Sequence, residues 1–256
     1  MTTPASAARF SDRVEDYVRF RPGYPPALLA WLHDDQGVPR SARVADIGAG
    51  TGISSRMLLS AGHPVIAVEP NAAMRAAADR WLSADHPGSR TVDGTAEATG
   101  LESASVDLVS AAQAFHWFDT DAVRAEWQRL LVPGGQVLVY WNSRLLEASP
   151  FLRGYEQLLL DFGTDYRAVA ERYQSDAQMH AWFAGGLQAS ARFANVQMLD
   201  LAALRGRLLS SSYAPMAGDP RHAPMLDALR ALFTAHARDG QVAFEYQTRA
   251  FLGTLD

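Results

Sequence analysis

Between Arg43 and Asn142 short apolar runs alternate with amphipathic stretches. The runs are Arg43–Ile47, Val65–Glu69, Val106–Ser110 and Gln136–Tyr140. Each has the length of a buried strand. The stretches between them, Ser54–Ala61, Asn71–Ser83 and Thr120–Leu131, carry the period of a helix. This alternation predicts βαβ units and a parallel sheet with helices on its faces. Asn71 stands where an N-cap is expected, and Pro133-Gly134-Gly135 predicts a stop ahead of the next strand.

Outside that block the pattern changes. A helix is expected around Ser11–Phe20 and a second through Ala27–His33, with the prolines of Arg21-Pro22-Gly23-Tyr24-Pro25-Pro26 fixing the turn between them. After Ser149 the chain reads helical to about Ala184, with Phe151, Tyr155, Phe162, Tyr166, Tyr173, Trp182 and Phe183 spaced through it, the pattern of a cap over a sheet. Such aromatics either enclose a planar or apolar molecule or fill a core. From Gln241 to Leu252, Val242, Phe244, Tyr246, Thr248 and Ala250 alternate as in a strand.

Composition removes several chemistries. The chain has 256 residues, 48% of them hydrophobic and 20% charged, which is ample for a sizeable core. All 23 of its basic Lys/Arg residues are arginine, and it has no cysteine. Schiff-base, phosphate-loop-lysine, thiolate and iron–sulfur mechanisms are therefore excluded. A net charge of −5 argues against a duplex-binding protein. No apolar run reaches the length of a membrane span, and residues 1–13 lack the apolar stretch of a signal peptide, so the expectation is a soluble cytoplasmic protein that binds neither nucleic acid nor membrane. The histidines show no metal-ligand spacing, so no metal site is expected.

The most informative stretch is Asp46-Ile47-Gly48-Ala49-Gly50-Thr51-Gly52, which ends the first strand and opens a helix. Glycines at alternate positions let the backbone turn sharply and approach a ligand. The second strand ends in Glu69, placed to accept hydrogen bonds from ribose hydroxyls at the switch point of the sheet. The Gly-x-Gly-x-Gly spacing differs from the dinucleotide fingerprint, and Asp46 would repel a pyrophosphate while suiting an ammonium. A ligand of adenosine with an amino-acid tail fits this arrangement.

With Gly94-Thr95-Ala96-Glu97, Val106-Asp107-Leu108-Val109, Gln113-Ala114-Phe115-His116-Trp117-Phe118 and Leu131-Val132-Pro133-Gly134-Gly135, these residues resemble the class I S-adenosylmethionine-dependent methyltransferases. The resemblance is to the small-molecule branch called type 11, similar to trans-aconitate methyltransferase relatives. It covers residues 8–142 well and the remainder weakly. It implies a doubly wound, Rossmann-like α/β fold of seven strands, mostly parallel with an antiparallel C-terminal strand. It also implies one domain over 1–256, with lid helices in 1–35, a cofactor-binding core in 41–142, a cap and substrate region in 146–220, and a final helix and strand in 221–256.

The implied cofactor is S-adenosyl-L-methionine, with S-adenosyl-L-homocysteine as product. By resemblance Gly48, Gly50 and Gly52 wrap its methionine part, Asp46 holds the amino group, Glu69 takes the ribose, and Pro70 and Met74 line the adenine. Thr95, Ala96 and Glu97 face the adenine edge; a common pattern has Asp where Thr95 stands, and a hydroxyl is a weaker acceptor. Arg21 pairs with the cofactor carboxylate, Tyr17 lies over the sulfonium, and Gln113 opens the segment facing the methyl. The acceptor is expected to be a small molecule touching Trp117, Trp141, Asn142, Ser211 and Tyr213, methylated at a carboxylate or hydroxyl oxygen.

Methyl transfer is an in-line displacement that depends mainly on orientation and needs no protein nucleophile. Where the acceptor must lose a proton, His116 is the candidate general base, since it follows the fourth strand and histidine titrates near neutrality. Two other readings compete: a non-catalytic cofactor-binding module of the same fold, and a nicotinamide dehydrogenase, which the glycine spacing opposes.

Overall fold

The structure, a computed structural model, describes residues 14–255. Five strands form the parallel part of the sheet: β1 (Val44–Ile47), β2 (Val65–Val68), β3 (Arg90–Val92), β4 (Val106–Ala112) and β5 (Leu131–Arg144). Helices α3 (Ile53–Ser60), α4 (Ala72–Asp85) and α5 (Thr120–Leu130) connect β1 to β2, β2 to β3 and β4 to β5. The Asn71 side chain caps α4 by accepting from the Ala73 and Met74 N–H groups at 2.9 and 3.0 Å. The full sheet has seven strands in the order β3-β2-β1-β4-β5-β7-β6, where β6 is Leu187–Leu199 and β7 is Val242–Gly253. β7 runs antiparallel to both of its neighbours, which makes it the one strand pointing against the rest. This is the doubly wound, Rossmann-like arrangement expected.

Parity along β5 divides the core into two layers. Val137, Val139 and Trp141 pack on one face with Phe115, Trp127 and Phe183, whereas Leu138 and Tyr140 pack on the other with Leu28, Leu32 and Leu58. Leu28 and Leu32 come from α2 (Pro26–Ala30) and the π-helical turn Trp31–Asp35 that continues it. Ahead of them lies α1 (Val14–Phe20); the earlier part of the helix expected around Ser11–Phe20 is outside the described residues. A third apolar layer joins α6 (Pro150–Phe162), α9 (Leu201–Leu209) and α10 (His222–His236) to Phe244 and Tyr246 of β7. Gly206 of α9 is where α1 docks, because a Cβ there would lie 2.1 Å from the Phe20 ring.

Two elements differ from the sequence expectation. Pro133-Gly134-Gly135 interrupts β5 instead of preceding it: Val106 pairs with Leu131 and Leu108 with Gln136, so the extra residues bulge out of the ladder. The stretch after Ala184 forms the edge strand β6, which lies within the region expected as cap. Its alternation is weak because Asn195 and Gln197 face inward to reach the Gly23 and Phe20 carbonyls, while Val196 and Met198 stand 54% and 53% exposed. Before β6 the chain is helical as expected, in α6, α7 (Tyr166–Ala170) and α8 (Asp176–Phe183). Among the described residues no helix is long and apolar enough to cross a membrane, and no group of three or more acidic or histidine side chains is placed to hold a metal.

Candidate functional site

The C-terminal ends of β1, β2, β4 and β5 open into one cleft. At the end of β2, Glu69 accepts from the Gly50 N–H through Oε2 and from the Asn71 N–H through Oε1, both at 2.8 Å. One carboxylate thereby ties the glycine loop to the start of α4. Burial pushes the Glu69 pKa above the usual carboxylate range, opposed by those two N–H donors. Each carboxylate oxygen has a second lone pair, so Glu69 retains acceptor capacity toward the cleft. Asp46 is fully buried and accepts from the hydroxyls of Ser54, Ser55 and Ser110 at 2.6, 2.6 and 3.0 Å. It fastens β1 to α3 and β4 and does not line the cleft; burial raises its pKa against the pull of the three hydroxyls.

Gly48 shows why the loop needs glycine. Its φ is +69°, and a Cβ there would stand 2.7 Å from the Ala114 Cβ. Across the cleft, Gln113 ends β4 with φ +54°, a left-handed conformation uncommon for a residue with a side chain. Three hydrogen bonds hold it there: its N–H donates to the Tyr140 carbonyl (2.9 Å), its Oε1 accepts from the Asn142 N–H (2.8 Å) and its Nε2 donates to the Tyr173 hydroxyl (3.0 Å). The Asn142 side chain in turn donates to the Gly23 carbonyl at 3.0 Å and accepts from the Thr248 hydroxyl at 2.6 Å. Gln113 and Asn142 thus join the tips of β4, β5 and β7 to the turn that follows α1.

His116 sits in a 3₁₀ turn, Phe115–Trp117, and is 7% exposed. Its ring stacks on Tyr173, with centroids 4.1 Å apart and planes at 24°, and its Nδ1 is buried without a hydrogen-bond partner. Burial, helped by the charges of Arg172 and Arg21, pushes the imidazole down to about 3. At neutral pH it is uncharged and a weak base.

The cleft, about 860 Å³ including its open mouth, is lined among others by Tyr17, Arg21, Gly48, Gly50, Glu69, Pro70, Met74, Gln113, His116, Trp117 and Tyr213. A contiguous lobe of about 540 Å³ shares Arg21, Gly48, Gly50 and Gln113 and reaches Asn142, Arg207 and Tyr246. Arg21 packs its guanidinium 4.8 Å from the Tyr17 ring and donates to the Ser210 carbonyl at 2.9 Å.

Several residues singled out in the sequence lie elsewhere. Trp141 is fully buried on the opposite face of β5, 6.2 Å from the Phe115 ring and 6.1 Å from that of Phe251, so it belongs to the core and does not reach the cleft. Thr95, Ala96 and Glu97 form a turn packed toward α5: the Ala96 carbonyl accepts from Trp127 Nε1 at 3.2 Å and Glu97 accepts from the Asp119 N–H at 3.1 Å. None of the three lines the cleft. Gly52 starts α3 against Leu82, and Ser211 is buried beside Arg207. Sequence reasoning did not place Tyr173, Arg207 or Tyr246, which line the cleft from distant parts of the chain.

Residues 45–139 match a family model described as a methyltransferase domain. An uncharacterized methyltransferase of Schizosaccharomyces pombe is 34% identical over 151 residues, 59% of this chain and 58% of that protein. A malonyl-[acyl-carrier protein] O-methyltransferase of Enterobacter lignolyticus is 39% identical over 116 residues, 44% of this chain and 43% of that protein. The chain thus spans about half the length of the curated relatives it matches. Among solved structures, a candidate type II methyltransferase from Anaeromyxobacter dehalogenans superimposes with a TM-score of 0.66 at 24% identity, covering 92% of this chain and 98% of that one.

Proposed function

We propose that the protein is an S-adenosylmethionine-dependent methyltransferase acting on a small molecule at oxygen. The observation that carries the reading is Glu69, which holds the Gly50 N–H in place and faces the cleft with acceptor capacity to spare. When bound, S-adenosyl-L-methionine supplies an electrophilic methyl group together with its own leaving group. The Glu69 oxygens take the ribose hydroxyls, the backbone at Gly48 and Gly50 lies against the methionine part, and Pro70 and Met74 flank the adenine. Arg21, whose Nε is buried and without a partner, pairs with the amino-acid carboxylate, and Tyr17 offers its ring face nearby. Asp46 serves this site indirectly by fixing the loop to α3.

The fixed side chains of Gln113 and Asn142 orient the acceptor, with Trp117 and Tyr213 closing the walls. His116 is too weak a base to remove a proton from an alcohol at neutral pH, so its neutral ring positions the acceptor by a hydrogen bond at Nδ1. An oxygen that arrives already ionised, as in a carboxylate, needs no base, and the cleft suits it best. The similarity to an O-methyltransferase supports the same atom.

Calorimetric titration with S-adenosylhomocysteine tests this reading. Binding is expected, and Glu69→Ala should weaken it by roughly one to two orders of magnitude, the loss of a shielded charged hydrogen bond of about 1.5–3 kcal/mol. No binding at millimolar ligand, or an affinity unchanged in Glu69→Ala, overturns it.

A further inference from the structure

Two arginines, Arg21 and Arg207, line the far lobe of the cleft. Arg207 of α9 is 8% exposed; its Nε donates to the Tyr246 hydroxyl at 3.0 Å and its Nη1 to the Ser211 hydroxyl at 3.2 Å. Among the described residues no carboxylate forms an ion pair with it. Arg144, at the end of β5, pairs with Glu156, donates to the Tyr166 hydroxyl at 2.7 Å and lines neither lobe. Tyr213, on the wall between the two lobes, stands in the field of Arg207, Arg21 and Arg144. Against the upward push of its own burial, these cations hold its phenol below the ordinary value. Among the described residues, Glu156, on Arg144, is the single carboxylate paired with any of these three guanidinium groups.

A guanidinium cannot relieve its burial by losing a proton, and a buried charge without a counter-ion is costly. A buried cation that borders a cavity is matched by an anion that enters it. The place of Arg207 in the sheet says what that is. Along the order β2, β1, β4, β5, β7 the cleft runs from Glu69 through Gly48 and Gln113 to Asn142 and Tyr246. Arg207 and Tyr246 therefore lie beyond the point where the methyl group is delivered, at the end opposite the ribose.

We infer that the acceptor carries an oxyanion, a carboxylate or a phosphate monoester, held by Arg207, while its methyl-accepting oxygen lies toward Gln113. This rests on reading the cleft as a methyl-transfer site and adds the acceptor's chemical class. Arg207 is a specificity residue.

The test is calorimetric titration of the purified full chain, with and without S-adenosylhomocysteine, using succinate, inorganic phosphate and the neutral succinamide as probes. At least one anion is expected to bind and succinamide is not; which anion binds distinguishes carboxylate from phosphate. Arg207→Gln should weaken the anion by about tenfold or more while S-adenosylhomocysteine affinity stays within about twofold. Tyr246→Phe nearly keeps the side-chain volume and removes the lobe-lining hydroxyl that orients the Arg207 guanidinium, so it keeps the question open if Arg207→Gln fails to fold. It should weaken the anion about threefold. The inference is overturned if neither anion binds, if succinamide binds as well as they do, or if both variants leave anion affinity unchanged. Equal loss of S-adenosylhomocysteine affinity in Arg207→Gln also overturns it, by assigning that arginine to the cofactor. Should the anion follow Arg207 while S-adenosylhomocysteine never binds, the anion site stands and the cofactor reading falls.

Discussion

At the tips of β1 and β2 the cleft is made of main chain and neighbours in sequence: Gly48, Gly50, Glu69, Pro70 and Met74 lie within one βαβ unit. Past Gln113, toward β5 and β7, it is made of long side chains, with Asn142, Tyr173, Arg207, Tyr213 and Tyr246 arriving from four separate segments. A backbone cradle fits one ligand and tolerates little change. A wall of side chains can be exchanged residue by residue over the same sheet. The invariant partner of a reaction is suited to the first construction and the variable partner to the second.

The largest effect that would break this division concerns Trp141, which the sequence suggested as an acceptor contact and the structure puts in the core. Trp141→Ala should cost about 3–5 kcal/mol in urea unfolding and leave S-adenosylhomocysteine affinity within about twofold in the folded protein. A variant of normal stability with altered acceptor binding would return Trp141 to the cleft.

Gly48→Ala probes the backbone half alone. The left-handed φ and the 2.7 Å approach to Ala114 together should cost about 1–3 kcal/mol of stability and weaken S-adenosylhomocysteine about a hundredfold. Anion binding at Arg207 should change by less than about threefold, because that guanidinium is held by Tyr246 and Ser211 and not by Gly48, although Gly48 also borders the lobe. Comparable losses at both would mean that the halves are coupled.

Measured per pH unit, the smallest effect is a dependence on pH. His116 is held down to about 3 in the folded chain against an ordinary value of 6.5, so the unfolded chain binds its proton first as pH falls. Stability is then fully present above 6.5 and declines as pH falls from there toward 3, by up to about 1.4 kcal/mol per pH unit. His63, also lowered by burial, contributes in the same direction. Denaturant midpoints measured across this range should show a shallower slope in His116→Asn than in the parent chain. An identical slope would mean that His116 is not buried in neutral form, and the positioning role proposed for it would fail.

The two halves also differ in how far the sequence discloses them. The alternating runs located β1, β2, β4 and β7 to within a few residues, because each buries its hydrophobic face against local helices and the period survives. The glycine loop and Glu69 were legible for the same reason, being fixed by the end of a strand and the start of a helix. Trp141 and Asn142 are adjacent, and period two sends one to the core and the other to the cleft; the run itself does not say which face is which. β6 was missed because its inward residues near the cleft are polar and its outward ones apolar. Arg207 and Tyr246 gain meaning only through a tertiary assembly that no local pattern encodes.

The place of β7 has a consequence for synthesis. β6 pairs with β7 alone, and β7 also completes the outer edge of β5. On a ribosome, β6 therefore emerges well before the only strand that can satisfy its ladder, and in the interval the chain presents two unpaired β edges with Val196 and Met198 on the outer one. Contacts of such long sequence separation form slowly. The half-made protein is the species most exposed to misassociation, and the parallel half of the sheet can form before the last strand locks the rest.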